Sequence, residues 1–437
     1  MENIEQTTLK SSGNTKAGWL AIATLVIIGI GLFITTQQTG TQPLQVRSSL
    51  GVMTLIVAIA AFYFWLEQTT KWKLFNYLPP LLWIYATPIL LSNTGIIPFS
   101  SEAYSGLRTY GLPLFITLML LKIDVVGAIR IMGKGVFVML IGSVGVVVGA
   151  VVAFFVVTKL GGLDPSTWPA FGTLSGSWIG GTGNMSAAWV ALEGDANHMT
   201  MAAVADNLVY IIWLPIMLGS REFAKRFNRW AKVPSERIEQ MEKAALANSE
   251  KELPPTMPQL LYLAIISLTV TFVSVELAAV LPNITLGGEA VITESTWTIL
   301  LVTSIALLLS TTRARHLPGA QPIAMAIIYV FVASIGARAN LLETDLGELG
   351  WFVLAAYIWI FIHGLFILTG AKLFRVDVHT LAIASAANIG GAASAPVVAA
   401  HHRQSLVPAS ILMALIGYAI GNYLAILTGR LCQLLGA

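Results

Sequence analysis

Two short runs of this chain concentrate residues able to bind ions and small solutes. The first, SGSWIGGTGNMS, holds Ser175, Ser177, Gly180, Gly181, Thr182, Asn184 and Ser186. The second, SAANIGGAAS, holds Ser385, Asn388, Gly390, Gly391 and Ser394. A helix interrupted at a glycine pair leaves free N–H groups at one broken end and free carbonyls at the other. The N–H ends favour anions, while carbonyl, hydroxyl and amide oxygens suit a hard cation such as Na+. Glycine also permits the unusual backbone angles and the close approach of two such tips. On this reading Ser177, Gly180, Gly181, Thr182, Asn184, Asn388, Gly390, Gly391 and Ser394 contact a solute, and Ser175, Ser186 and Ser385 serve a coupling ion. Each serine has a plainer alternative, since a hydroxyl on an apolar helix often bonds only the carbonyl one turn back.

Asp206 and Asn207 sit in AAVADNLVYIIW, in the middle of an apolar stretch. A carboxylate at membrane depth is expensive and by default functional. Asp206 and Asn207 are therefore expected to serve ion coupling, Asp206 as a cation ligand or proton-coupling group, with pairing of Asp206 to a hairpin backbone as the structural alternative. Arg338 could grip a solute carboxylate bidentately, or it and Asn340 could mark an interfacial anchor whose cationic head snorkels to water. Glu276, Asn422 and His363 read as lone intramembrane polar groups engaged in bundle contacts. His401 and His402 beside Arg403 lack a carboxylate or cysteine nearby and make a poor metal site. Asn283-Ile284-Thr285 matches a glycosylation sequon without consequence in a bacterial-type protein.

The elements that position these residues follow from composition. Of 437 residues 56% are hydrophobic and 11% charged, against about one quarter charged in soluble domains, and the mean hydropathy is +0.76. Apolar runs of about 20 residues, enough to cross the hydrocarbon, recur along the chain. They lack the alternation of barrel strands, so helices must be the spanning elements. About eleven spans can be drawn on length alone: 17–36, 50–67, 75–92, 107–121, 136–158, 200–219, 259–281, 295–312, 320–336, 349–371 and 407–431. Residues 1–16 read as a disordered N-terminus, 17–48 as an extra first helix and loop, and 220–258 as a basic cytoplasmic linker. The flanking stretches 49–219 and 259–437 read as two repeats. One cysteine, Cys432, excludes an internal disulfide, and tryptophans such as Trp19, Trp65, Trp72, Trp168 and Trp351 cluster near span ends.

Positive charges set the orientation. With the Arg221–Pro258 linker inside, Lys71/Lys73, Lys122/Arg130/Lys134, Arg313/Arg315 and Lys372/Arg375 also fall inside. The N-terminus then lies inside and the C-terminus outside. Two segments do not fit as spans, Trp168–Glu193 and Thr380–Ala400. The first is flanked only by acids and the second by basic residues at both ends, so each is expected to dip in and return, from opposite faces. The alternative, a broken helix that crosses, would put one basic flank outside. Aligning Ile179-Gly180-Gly181 on Ile389-Gly390-Gly391 gives an offset of 389 − 179 = 210. Ser175 then meets Ser385 and Asn184 meets Ser394, and both segments follow two spans and precede one. The expected fold is an all-α polytopic membrane protein of about eleven transmembrane helices and two re-entrant hairpins in two inverted-topology repeats.

The runs SGSWIGGTGNMSA, AVADNLVY and SAANIGGAASAP resemble the uncharacterised bacterial integral membrane proteins of the YjcL type, a domain-of-unknown-function family, over nearly the whole chain. The layout is similar to that of sodium:glutamate and 2-hydroxycarboxylate transporters, a likeness of architecture and glycine pairs. It implies a homodimeric elevator transporter in the bacterial cytoplasmic membrane. No substrate residue carries over. The expected function is Na+- or H+-coupled symport of a small anionic organic solute: a carboxylate, an amino acid or a peptide-like compound. No cofactor beyond a coupling Na+, no nucleic acid and no enzymatic chemistry are expected. A channel or export regulator of the murein-hydrolase-control type is the alternative, and a membrane-embedded enzyme a more distant one.

Overall fold

The structure, a computed structural model, describes residues 16–24, 45–72, 74–77, 80–123, 133–234, 254–286, 289–339 and 346–436. Residues 1–15 of the expected disordered segment 1–16, positions 25–36 of the first span, Asn340 and linker residues 235–253 lie outside the described residues; Lys16 is helical. Those described form two compact units, one from Met1–Tyr104 with Val332–Ala339, the other from Ser105–Phe331 with Asn340–Ala437.

In the first unit, residues 16–24 are helical and are followed by α1 (Ser49–Thr70) and α2 (Pro80–Asn93). Ser48 caps α1 by accepting from the Gly51 N–H, and Lys71 in the left-handed region ends it. Tyr63 and Thr87 share a hydrogen bond of 2.7 Å between α1 and α2. Asn93 donates to the carbonyls of Ile89 and Ala339, each at 2.8 Å.

The second unit continues with α3 (Leu112–Leu121), entered through a π-helical turn at Leu107–Gly111, then α4 (Lys134–Lys159) and a helical segment Trp168–Ala191, α5. Next come α6 (Ala196–Gly219), α7 (Met257–Val280) and α8 (Glu294–Ser310). A two-stranded antiparallel ribbon, Ile284–Leu286 with Glu289–Ile292, fills the connection between α7 and α8. The remaining helices are α9 (Ala320–Gly336), whose residues from Val332 on belong to the first unit, α10 (Leu346–Phe374), α11 (Val378–Ile389), α12 (Gly391–His402) and α13 (Val407–Gly436).

Six of the described helices are long and apolar enough to cross a membrane: α1, α4, α6 with its extension, α7, α10 and α13. The protein is thus a helical, multi-pass membrane protein. Caps mark the turns. Asp195 begins α6 by accepting from the His198 N–H at 2.9 Å, and Asp377 begins α11 by accepting from Thr380 N–H at 3.0 Å.

Candidate functional site

The two glycine-centred segments are hairpins. At Gly181 the backbone leaves helical geometry, with φ 73° and ψ −173°. The two halves of α5 then fold against each other. A Cβ on Gly176 would lie 2.6 Å from the Asn184 carbonyl oxygen, and one on Gly172 would strike the Leu192 side chain. Twenty residues of straight helix would span about 30 Å, so contact between positions 172 and 192 requires a full reversal. The second hairpin is formed by α11 and α12, joined at Gly390, and its arms close at the base. There His379 Nδ1 lies 3.0 Å from His402 Nδ1. These contacts exclude a single broken helix at either site.

The tips converge. Gly181 and Gly391, the pair matched by the 210-residue offset, both have positive φ, 73° and 57°. Glycine is the residue that adopts such angles without strain. A Cβ on Gly391 would lie 3.6 Å from the Cα of Gly181 and 3.3 Å from the Tyr418 hydroxyl oxygen. One on Gly181 would lie 3.1 Å from the same Tyr418 ring. Tyr418 of α13 therefore lies against both tips. Gly183 abuts Phe115 of α3, and Gly390 abuts Tyr210 of α6. Within α5 every residue is buried except Trp168 at the base and Thr182 and Gly183 at the tip. Gly390 at the second tip and Tyr210, Asp206 and Tyr418 beside the tips are likewise part-exposed, while the second arm of hairpin two also exposes Val397.

One stripe of α6 holds both hairpins. Asp206 accepts from Ser177 Oγ at 2.7 Å and from Trp178 Nε1 at 2.9 Å, both on the first arm of hairpin one. One turn on, the Tyr210 hydroxyl donates to Ser394 Oγ at 2.7 Å on hairpin two. A further turn on, Trp213 Nε1 donates to Ser385 Oγ at 3.0 Å. The spacing 206, 210, 213 is that of one helix face. Among the described residues no lysine, arginine or histidine pairs with Asp206; its partners are the Ser177 hydroxyl and the Trp178 indole.

An aspartate near a span centre costs about 3 kcal/mol. Interhelical hydrogen bonds in membrane bundles return about 0.6 kcal/mol each on average. The two neutral donors therefore leave a deficit that a proton or a bound cation would remove.

The other expected residues take up varied positions. Asn184 donates to the Tyr418 carbonyl at 3.1 Å and to Asn422 Oδ1 at 2.8 Å, and Asn422 donates to Thr303 at 2.7 Å. Asn422, expected to be a lone polar group, is thus part of a chain that seats hairpin one on α13 and α8. Gly417 and Gly421, a small-residue pair one turn apart on α13, let that hairpin approach closely. Ser175 shares a hydrogen bond with Thr428 at 3.1 Å. Ser186 Oγ is buried with no hydrogen-bond partner.

Asn388 is fully buried. With its amide oriented by its hydrogen-bond network, its oxygen accepts from Ser143 Oγ at 2.8 Å. Its nitrogen donates to the carbonyls of Met139 and Ala384 at 3.1 and 3.2 Å. Ser385 Oγ accepts from Trp213 Nε1 and lies 3.1 Å from His363 Nε2, while His363 Nδ1 lies 2.9 Å from the Gly142 carbonyl. A carbonyl only accepts, so Nδ1 carries the proton and Nε2 accepts from Ser385. His363 is satisfied within the bundle, as expected. Asn207 donates to the Ala203 carbonyl one turn back at 2.8 Å. Arg338 belongs to the first unit, where its guanidinium lies 6.0 Å over the Tyr104 ring.

No cluster of three histidine, cysteine or acidic side chains exists among the described residues. His402 pairs with His379 and the Met217 carbonyl. A cation at the tips would instead be met by hard oxygens from Asp206, Ser177 and broken-helix carbonyls. Sequence reasoning missed Phe115, Tyr210, Trp213 and Tyr418. The stripe 206–210–213 was the available signal, because an intramembrane carboxylate selects the face of its helix that points inward.

Comparison with known proteins agrees with the membrane architecture and stops short of an activity. The profile of the family described as "Protein of unknown function (DUF819)" matches residues 54–435. The chain is also 27% identical over 390 residues to a Bacillus subtilis (strain 168) protein named "Uncharacterized membrane protein YjcL". That alignment covers 86% of this chain and 94% of the relative.

Proposed function

The chain belongs to the DUF819 family of membrane proteins of unknown function, and from the geometry of its hairpins we propose that it is a cation-coupled secondary transporter of a small organic solute. The observation that carries this reading is the meeting of the Gly181 and Gly391 tips on Tyr418, with the unpaired carboxylate of Asp206 one turn away. Paired, glycine-interrupted segments from two halves of a chain are the mark of a transporter site near the midplane. The matched positive φ values at a 210-residue offset favour two repeats, and the charge flanks favour opposite orientations in a cytoplasmic membrane, with the C-terminus outside.

In this mechanism Asp206 binds Na+ or a proton, and its hold on Ser177 and Trp178 changes with occupancy. Tyr210 and Trp213, on the same helix face, carry that change to hairpin two. The hairpins then expose the solute site to either side in turn, with the hairpin-bearing part moving against a scaffold in a homodimer. A solute carboxylate, in this reading, is met by the N–H groups that the broken arms leave free at the tips.

The test is the thermal stability of purified protein against Na+ concentration and pH, together with uptake in proteoliposomes. Ligands that bind only the folded state raise Tm by mass action. Wild type should be stabilised by Na+ or by acidification, and Asp206→Asn should lose that response while remaining folded. A wild type indifferent to both cations, with Asp206→Asn identical to it, sinks the coupled-transport reading and leaves a channel or regulator.

A further inference from the structure

The charge inventory around the hairpin tips narrows the solute. No lysine, arginine or histidine occurs in 168–192, 199–220, 380–400 or 407–429, which between them supply both hairpins and the cores of α6 and α13. The only charged side chain in those four stretches is Asp206. Among the described residues, cations on the elements packed against the hairpins have other partners. Arg108 lies 5.2 Å over the Trp189 ring, Lys122 donates to the Leu317 carbonyl, and Arg430 lies 5.0 Å over Trp168 with a hydrogen bond to Gln433. His363 is held between Gly142 and Ser385, and His379 and His402 bond each other at the base of hairpin two.

Peptide dipoles do not alter the count. Each tip brings together the carbonyl end of one arm and the N–H end of the next. Their fractional charges, roughly −0.5 and +0.5, oppose each other. Among the described residues the fixed charge of the site is therefore a single negative one. The coupling cation cancels it, and nothing remains to neutralise an anionic solute. Burying an uncompensated charge in such surroundings is strongly unfavourable. Meanwhile the side chains at the tips are Phe115, Tyr210 and Tyr418, which offer aromatic faces and hydroxyls.

We infer that the site at the hairpin tips takes a small solute of no net charge, a zwitterion of the amino-acid or short-peptide class with an apolar part packed on Tyr418. This rests on the transporter reading and replaces a general carboxylate with one balanced by the solute's own ammonium. The carboxylate sits at the N–H ends of the broken arms and the ammonium on the side of the tip carbonyls and hydroxyls. Transport of such a solute with one cation moves one positive charge per cycle, whereas a monoanion with one cation moves none.

The experiment uses full-length protein with two probe sets at neutral pH, with Na+ and with acidification. Phenylalanine, leucine and alanyl-alanine are the zwitterions; succinate and citrate are the polyanions. At least one zwitterion should raise Tm saturably, and its uptake into proteoliposomes should carry an inward positive current. Succinate and citrate should do neither. Tyr418→Ala should weaken binding of the apolar zwitterion by roughly tenfold, with Tyr418→Phe retaining it. The inference is overturned if a cation stabilises the protein yet only polyanions bind, or if no zwitterion binds, or if zwitterion uptake carries no current. Absence of any cation response would instead overturn the transporter reading itself.

Discussion

Single residues divide into those whose chemistry is spoken for and those left open. Asn388 and Ser385 each have their polar atoms engaged within the bundle, whereas Asp206 has donors without a counter-charge and Ser186 Oγ has no partner. Replacing Asn388 by Leu should cost about 1–3 kcal/mol by leaving Ser143 and two carbonyls unmatched, read as a lower Tm with little change in solute affinity. Asp195 offers a pH test outside the bundle. The His198 ring, 3.0 Å from its carboxylate, and the His198 N–H hold the Asp195 carboxyl below its ordinary value, against partial desolvation. A carboxyl depressed by folding stabilises above its unfolded pKa, and that contribution fades as pH falls through the lower folded value. Asp195→Ala should therefore lower Tm at neutral pH by the equivalent of about 1 kcal/mol, the usual worth of an N-cap. In strong acid the variant and wild type should converge.

Elements matter here through where they are interrupted. Gly181 and Gly391 adopt backbone angles that cost a side-chain-bearing residue about 1–3 kcal/mol, and any Cβ there also crowds Tyr418. Gly181→Ala and Gly391→Ala should each lower stability by about that amount and impair uptake more than melting. Gly106→Ala lies where a Cβ meets nothing within 4 Å, so it should be nearly silent and serves as the control. α13 is the other decisive element. Its Gly417 and Gly421 admit hairpin one, and its Asn422 links Asn184 to Thr303. Asn422→Leu should loosen that hairpin, seen as faster hydrogen exchange in α5 at a modest loss of Tm.

For the whole molecule, orientation is the question that decides the mechanism. Hairpin one begins after the acidic connection Gly161–Thr167, and hairpin two begins after basic Lys372 and Arg375. Single-cysteine labelling separates the faces, because native Cys432 is buried. In intact cells Ser166→Cys should react with an impermeant maleimide, and Lys372→Cys only after permeabilisation. Labelling of both from one side would remove the opposed orientation on which alternating access depends.

Sequence alone determined that this is a helical membrane protein with two special segments. Composition, span length and the glycine pairs are local properties that the bilayer reads directly. It also placed His363 as a bundle histidine and singled out Asp206, since an intramembrane carboxylate is conspicuous in any apolar run. Only the tertiary structure decided that each glycine segment reverses on itself, because a reversal is defined by contact between residues twenty apart, such as Gly172 and Leu192. It alone brought Gly181 to Gly391, joined Asn422 to Asn184 and set Tyr418 between the tips. Aromatic residues are too common in membrane helices for their types to announce a site. Their role is fixed by what packs against them, which pairs segments more than two hundred residues apart.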